Sequence, residues 1–152
     1  MRFTGNIDAK TDAKGRVFLP AAFRKILLAN ETYSLVLRKD VFQKCLVLYP
    51  ESVWNLLVDQ IATRTSAFDS KGREVLRKFV AGAEYITPDS NGRILLTKRN
   101  LQAAEIKNDI RFIGVDNTIE IWARETAEQW DNEDFGDELE ELMKPEKKQE
   151  AT

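Results

Sequence analysis

The apolar residues of this chain fall into short runs and helical stripes that recur in the same order twice. In the first half a strand leads into a polar turn at Lys14-Gly15 and a second strand follows from Arg16 to Leu19; in the second half the turn is Asn91-Gly92 and the strand Arg93 to Leu96. Asn and Gly both tolerate the positive φ of a tight primed turn, so a hairpin is predicted at each place. Pro20 suits the first turn of a helix, and AAFRKILLA puts Phe23, Ile26 and Leu27 on one face. YSLVLRKDVFQKCLVLYP and RFIGVDNTIEIWA each read as strand, turn and strand, with Asp116-Asn117 marking the second turn. Two further stripes predict helices: Val53, Trp54, Leu57, Val58 and Ile61 after Pro50, and Val75, Leu76, Phe79, Val80 and Ala83 after a capping Asp69.

The recurrence is visible residue by residue. A shift of 77 positions brings Gly5 onto Gly82, Asp12 onto Asp89, Gly15 onto Gly92, Arg16 onto Arg93 and Leu19 onto Leu96. A shift of 73 then aligns CLVLYPESVW (45–54) with TIEIWARETA (118–127), so the second copy is about four residues shorter in between. The predicted class is α+β, mostly β with helices, built from two tandem β-β-α-β-β units at 1–57 and 82–130. Residues 58–81 form a connecting helical segment and 131–152 an acidic tail. Neither unit alone is of a comfortable size for an independent core.

Charge separates the tail from the body. The total over 152 residues is −2, yet residues 1–123 carry 19 basic and 14 acidic side chains while residues 124–152 carry 4 and 11. A mildly basic body is therefore masked by its appendage. The tail is expected to be solvated and largely disordered, the competing expectation being a short amphipathic helix around Glu138 to Lys144, where Leu139, Leu142 and Met143 share a face.

Several chemistries are excluded at once. The chain has no histidine, which removes imidazole bases and His-ligated zinc, and its single cysteine, Cys45, can form neither an intrachain disulfide nor a thiolate cluster. No metal site and no cofactor are expected, and no glycine pattern for nucleotide binding occurs. No run of about 18 to 20 apolar residues or signal-peptide core is present, so the expectation is a soluble cytoplasmic protein without membrane contact. Paired acids in equivalent turns lack a recurring catalytic partner, so no enzyme is expected. Trp54, Trp122 and Trp130 are expected in core or subunit packing, Cys45 as a small buried apolar residue, and Arg73, Arg77, Lys78, Lys98 and Arg99 on solvated helix faces.

The repeated Asp-x-x-Gly-Arg pattern leaves two readings open. Asp12 and Asp89 are turn-forming residues with Arg16 and Arg93 merely solvated, or each acid orients its arginine so that the guanidinium fork meets a phosphate or a guanine edge. DAKGRVFLPAAFRKIL resembles the signature of AbrB-like swapped-hairpin transcription factors. Together with the duplication, the RKFVAGA helix, LVLYPESVW, GRILL and IGVDNTIEIW, it is similar to the MraZ family over residues 1 to about 130.

That resemblance implies a pseudo-twofold swapped-hairpin barrel made by two AbrB-like units. It also implies a cytoplasmic, nucleoid-associated regulator that assembles as a ring-like homo-oligomer on short direct repeats in double-stranded DNA, generally repressing the division and cell-wall gene cluster, its own operon included. No small-molecule substrate is implied. The family's Asp-x-x-x-Arg motif falls on Asp12 to Arg16 and on Asp89 to Arg93. The DNA-binding candidates are thus Lys14, Arg16, Arg24 and Arg93, with Gly15 and Gly92 as turn glycines and Asp12 and Asp89 as orienting acids. The second copy departs from the pattern, having Thr97 and Leu101 where the first keeps Pro20 and Arg24, and Asn91 in place of Lys14. The first copy is accordingly expected to be the principal DNA contact. An antitoxin-like AbrB-fold module whose acidic tail binds a protein partner is the alternative.

Overall fold

The computed structural model describes residues 1–146. In the first copy, β1 (Asn6–Lys10) and β2 (Arg16–Phe18) precede α1 (Ala21–Ala29), β3 (Leu35–Lys39), β4 (Leu46–Pro50) and α2 (Glu51–Ala62). A linking helix α3 (Ser70–Ala81) leads to the second copy: β5 (Ala83–Ile86), β6 (Arg93–Leu95), α4 (Lys98–Ala103), β7 (Asp109–Val115), β8 (Thr118–Ala123) and α5 (Arg124–Glu128). A last short helix, α6 (Gly136–Leu142), follows. The β-β-α-β-β order is the same in both units.

The copies are interlaced. The main sheet runs β1-β7-β8-β4-β3-β5, all pairs antiparallel, so the first strand of each copy pairs with the third strand of the other. Reading the order backwards and exchanging the copies restores it, which is the pseudo-twofold relation. The axis passes between β4 and β8, where Val47 lies opposite Glu120, and between β2 and β6, where Val17 lies opposite Ile94 in a separate two-stranded ribbon.

This pairing departs from the local hairpin expectation. β1 does not pair with β2, nor β5 with β6, among the described residues. The chain turns back at each Asp-x-x-Gly-Arg loop, but the two strands then part, one into the sheet and one into the ribbon. Local turn chemistry fixes the reversal; the ladders are decided by which strands can bury their apolar faces together.

Two cores result. Leu35, Leu37, Leu46, Leu48, Ile110, Phe112, Ile119 and Ile121 point from the sheet towards the ribbon residues Val17 and Ile94 and towards Leu19, Phe23, Leu27 and Leu96. On the other sheet face, Val36, Cys45, Val47 and Tyr49 meet Trp54, Trp122 and Ala127. A central strand covered on both faces reads as an unbroken apolar run, which is why LVLYP does not alternate. The tryptophans lie where expected: Trp54 stacks on Phe79 at 5.1 Å between ring centres, and Trp122 meets Trp130 edge to face at 4.2 Å.

Two arginines at equivalent positions, Arg38 half-buried and Arg111 buried, fasten the following segments. Arg38 donates from Nε to the Phe79 carbonyl at 2.8 Å, holding the end of α3. Its counterpart Arg111 is buried and donates to Asp8 and Asp131, both at 2.7 Å, so the acidic tail leaves the body from a tethered point. Within that tail, residues 136–142 are helical, and Phe135, Leu139, Leu142 and Met143 are exposed. What was expected of 147–152 lies outside the described residues.

Candidate nucleic-acid interface

Each candidate loop is a three-residue turn closed by its own acid. The Asp12 carbonyl accepts from the Gly15 amide at 3.0 Å, and the Asp12 amide donates to the Arg16 carbonyl at 2.8 Å. The second copy repeats this with Asp89, Gly92 and Arg93 at 2.9 and 2.8 Å. Among the residues of the two loops only the glycines have positive φ, +85° at Gly15 and +81° at Gly92. The primed turn expected from Asn91-Gly92 is thus replaced by a turn followed by a glycine bulge, which needs one left-handed residue rather than two.

The acids then position the arginines. Asp12 Oδ1 accepts from the amides of Lys14 and Arg16, both at 2.9 Å, and Oδ2 accepts from Arg16 Nε at 2.7 Å. Asp89 does the same with the amides of Asn91 and Arg93 and with Arg93 Nε, each at 2.9 Å. The Arg16 amide is the largest cause holding the Asp12 carboxyl below the usual range, helped by its guanidinium and the Lys14 amide against the desolvation that raises it. Asp89 is lowered the same way, first by the Arg93 amide.

With Nε committed to the acid, the Nη edge of each guanidinium has no protein hydrogen-bond partner among the described residues. A planar fork held on one side and free on the other suits bidentate recognition of two acceptors. Each acid thus makes both kinds of contact that the spacing allows, closing its own turn through backbone amides and pairing with its own arginine.

Strand pairing places both forks together. Arg16 lies opposite Leu95 and Phe18 opposite Arg93, with the inward Val17 and Ile94 paired between them. Arg16 and Arg93 are therefore diagonal neighbours on the outer face of one ribbon, on the order of 7–8 Å apart along the backbone. Lys14 is exposed at the tip of the first turn, where Asn91 stands in the second.

Each turn is clamped by the other copy. The Leu19 amide donates to the Gly92 carbonyl at 2.9 Å, and the Leu96 amide to the Gly15 carbonyl at 2.8 Å. Arg24, a candidate DNA contact from the sequence, donates from Nε to the Leu19 carbonyl at 3.0 Å and lies against Gly92, where a Cβ would stand 2.5 Å from its Nη1. Its counterpart Leu101 lies more loosely beneath Gly15, its Cδ1 3.7 Å from where a Cβ would stand. The departures of the second copy thus have structural substitutes: Leu101 fills the space under a turn that Arg24 braces in the first case, and the Thr97 hydroxyl accepts from the Asn100 amide at 3.4 Å, capping α4 where Pro20 begins α1.

The structure adds residues that the sequence reading passed over. Phe18 and Leu95 point outward from the ribbon between the arginines, although they align as apolar residues in the repeat. The signal was available in Arg16-Val17-Phe18 and Arg93-Ile94-Leu95, since residues two apart on a strand share a face. Arg73, Arg77, Lys78, Lys98 and Arg99 are solvated, as expected. Among the described residues no cluster of side chains is arranged to hold a metal ion, and no helix is long and apolar enough to cross a membrane.

Comparison with known proteins agrees with the duplication. The family described as "MraZ protein, putative antitoxin-like" matches the chain twice, over residues 3–78 and 79–150. A protein named transcriptional regulator MraZ from Bacteroides thetaiotaomicron is 55% identical over 153 aligned residues, covering 99% of this chain and 98% of its own. Proteins of the same name from Phocaeicola vulgatus and Christiangramia forsetii are 54% and 35% identical, covering 94% and 91% of this chain and the same shares of their own.

Proposed function

This chain belongs to the MraZ family, and on that premise we propose that it is a transcriptional regulator that reads double-stranded DNA through the two acid-oriented arginines of its β-ribbon. The observation that carries the reading is the duplicated geometry itself: two guanidinium forks, each held at Nε by its own aspartate, on one face of a two-stranded ribbon. A ribbon of this kind fits the major groove, where an arginine pairs with guanine O6 and N7. A diagonal spacing on the order of 7–8 Å is close to two base steps of about 3.4 Å each.

Affinity and specificity have different sources in this account. Lys14 and the turn amides meet phosphates, which makes binding salt-dependent but carries no sequence information. One bidentate arginine discriminates by roughly 1–3 kcal/mol, so one ribbon is a weak reader. A ring-like homo-oligomer presenting the ribbon to successive direct repeats multiplies these small terms, as tethered sites do. The targets of this reading are short repeats upstream of the chain's own operon in the division and cell-wall gene cluster, with repression as the outcome and the nucleoid as the place of action. Arg16 ranks above Arg93 because Lys14 accompanies it and Asn91 does not. The reading includes no catalytic step and no cofactor.

The test is a titration of the DNA upstream of the coding sequence at several salt concentrations, with protomer stoichiometry measured alongside. Affinity should fall log-linearly with salt and rise steeply with the number of repeats. Binding as tight to one repeat as to several contradicts the multivalent account, and no preference over scrambled DNA contradicts sequence reading. A second reading, the antitoxin-like module, is favoured by the apolar side chains that α6 leaves exposed in an acidic setting. A stoichiometric small protein that co-purifies and blocks DNA binding would select it.

A further inference from the structure

The outer face of the ribbon alternates in chemistry across the strands as well as along them. Arg16 has Leu95 directly opposite, and Arg93 has Phe18 directly opposite, so each guanidinium is paired with an apolar side chain from the other copy. Phe18 is 59% exposed and Leu95 48%. The core does not need them, since Val17 and Ile94 already seal the ribbon from within. An exposed phenyl ring on a three-residue strand, placed between two oriented cations, is apolar surface without a use in the isolated chain.

We propose that Phe18 and Leu95 are specificity-determining residues that contact the 5-methyl groups of thymines adjoining the bases read by Arg93 and Arg16. The inference rests on the DNA reading of the ribbon and deepens it. The thymine methyl is the distinctive apolar group that the major groove displays. Side chains opposite one another on paired strands stand about 4.5–5.5 Å apart, within one to two base steps of about 3.4 Å. An arginine and its apolar partner therefore reach neighbouring base pairs from one ribbon position. The two arginines also select the occupant. Against an apolar protein surface their free Nη edges would be desolvated without acceptors, whereas a groove edged by phosphates and guanines supplies them.

The experiment removes the methyl and nothing else. The region upstream of the coding sequence is amplified with either dTTP or dUTP, giving duplexes of one sequence with and without thymine methyl groups, beside a scrambled duplex. Binding is followed by fluorescence anisotropy for the wild type, the Phe18→Ala/Leu95→Ala double variant and Arg16→Ala, with light scattering to follow assembly. Burying one methyl corresponds to about a four-fold change in affinity, so the wild type should prefer the thymine duplex by roughly four- to fifteen-fold.

The double variant should lose that preference while still favouring the upstream sequence over the scrambled one, and Arg16→Ala should weaken binding to both duplexes yet keep the preference. Equal wild-type binding to the thymine and uracil duplexes overturns the methyl contact and leaves the DNA reading standing. A preference that survives in the double variant overturns the assignment to these two residues. Loss of assembly in the double variant, with no wild-type preference, makes this face a contact between copies instead. Wild-type protein that does not distinguish upstream from scrambled DNA overturns the DNA reading itself.

Discussion

Gly15→Ala should destabilise the fold more than Gly92→Ala, although the two glycines occupy equivalent turns. Both have positive φ, where a Cβ costs roughly 1–2 kcal/mol. What the Cβ meets is different. At Gly15 it would fall on the carbonyl oxygen of Leu96, backbone that cannot rotate aside. Relief requires the turn to move off Leu96, whose amide donates to the Gly15 carbonyl at 2.8 Å. Losing that bond adds about 0.5–1.5 kcal/mol, for a total on the order of 2–4 kcal/mol once local packing is disturbed.

At Gly92 the Cβ meets Arg24, with Nη1 at 2.5 Å and Cζ at 2.9 Å, and a side-chain end can swing away. The cost there should stay near the roughly 1–2 kcal/mol of the backbone strain plus a weakened Arg24 contact. A double-mutant cycle with Arg24→Ala isolates the difference. Urea unfolding of the single and double variants, at one protein concentration because assembly contributes to stability, should show coupling of about 0.5–1.5 kcal/mol between positions 24 and 92 and none between 24 and 15. Equal costs at the two glycines, or coupling at position 15, would refute the reasoning and with it the placement of Arg24 as a brace.

Three further outcomes follow from the structure. Burial pushes the Cys45 thiol up to about 12, so it should be inert to a thiol reagent at pH 8 and titrate only as the protein unfolds; rapid labelling of the native protein contradicts its place in the core. Asp8 is held below the usual carboxylate range, first by its hydrogen bond from Arg111, and Asp12 and Asp89 by their own arginines. A depressed folded-state value means stability that is fully present above the unfolded value and lost as pH falls through the folded one. The melting temperature should therefore be flat above about pH 5 and fall below about pH 4, with a shallower fall in Asp8→Asn; a rise on acidification contradicts it. Deleting 132–152, which spares the Asp131 ion pair with Arg111, should tighten DNA binding at low salt if the acidic tail competes for the ribbon, and unchanged affinity makes the tail a solvated spacer.

What the sequence disclosed and what it hid divide along a physical line. The duplication and the element order were legible, because each is local: the apolar stripes of α2 and α3 have helical spacing, and the repeated spacing puts Asp12 within one turn of Arg16 while leaving open what the two do together. Hidden were contacts made by residues far apart in the chain. The Asp8 to Arg111 pair joins positions whose proximity depends on β1 crossing to β7, and nothing in the turn at Lys14-Gly15 says that the strands on either side will part. The swapped arrangement came only through the family resemblance.

Arg24 shows the same limit. It is a DNA-binding candidate only through the family resemblance, and its place against the other copy's Gly92 depends on the fold. Phe18 and Leu95 are a different case: apolar letters in a strand suggest core, although the strand period already sets them on the face of Arg16 and Arg93, and the ribbon's register bears that period out.

The most direct measurement compares Arg16→Ala, Arg93→Ala and the double variant with the wild type in binding to upstream and scrambled DNA at fixed salt, with assembly checked for each. If the oriented arginines read the sequence, Arg16→Ala should lose more than Arg93→Ala, and the double variant should bind the two DNAs alike, its residual affinity that of the remaining phosphate contacts. A double variant that keeps the wild-type preference for upstream DNA contradicts the account, and equal losses in the two single variants contradict the ranking of the copies.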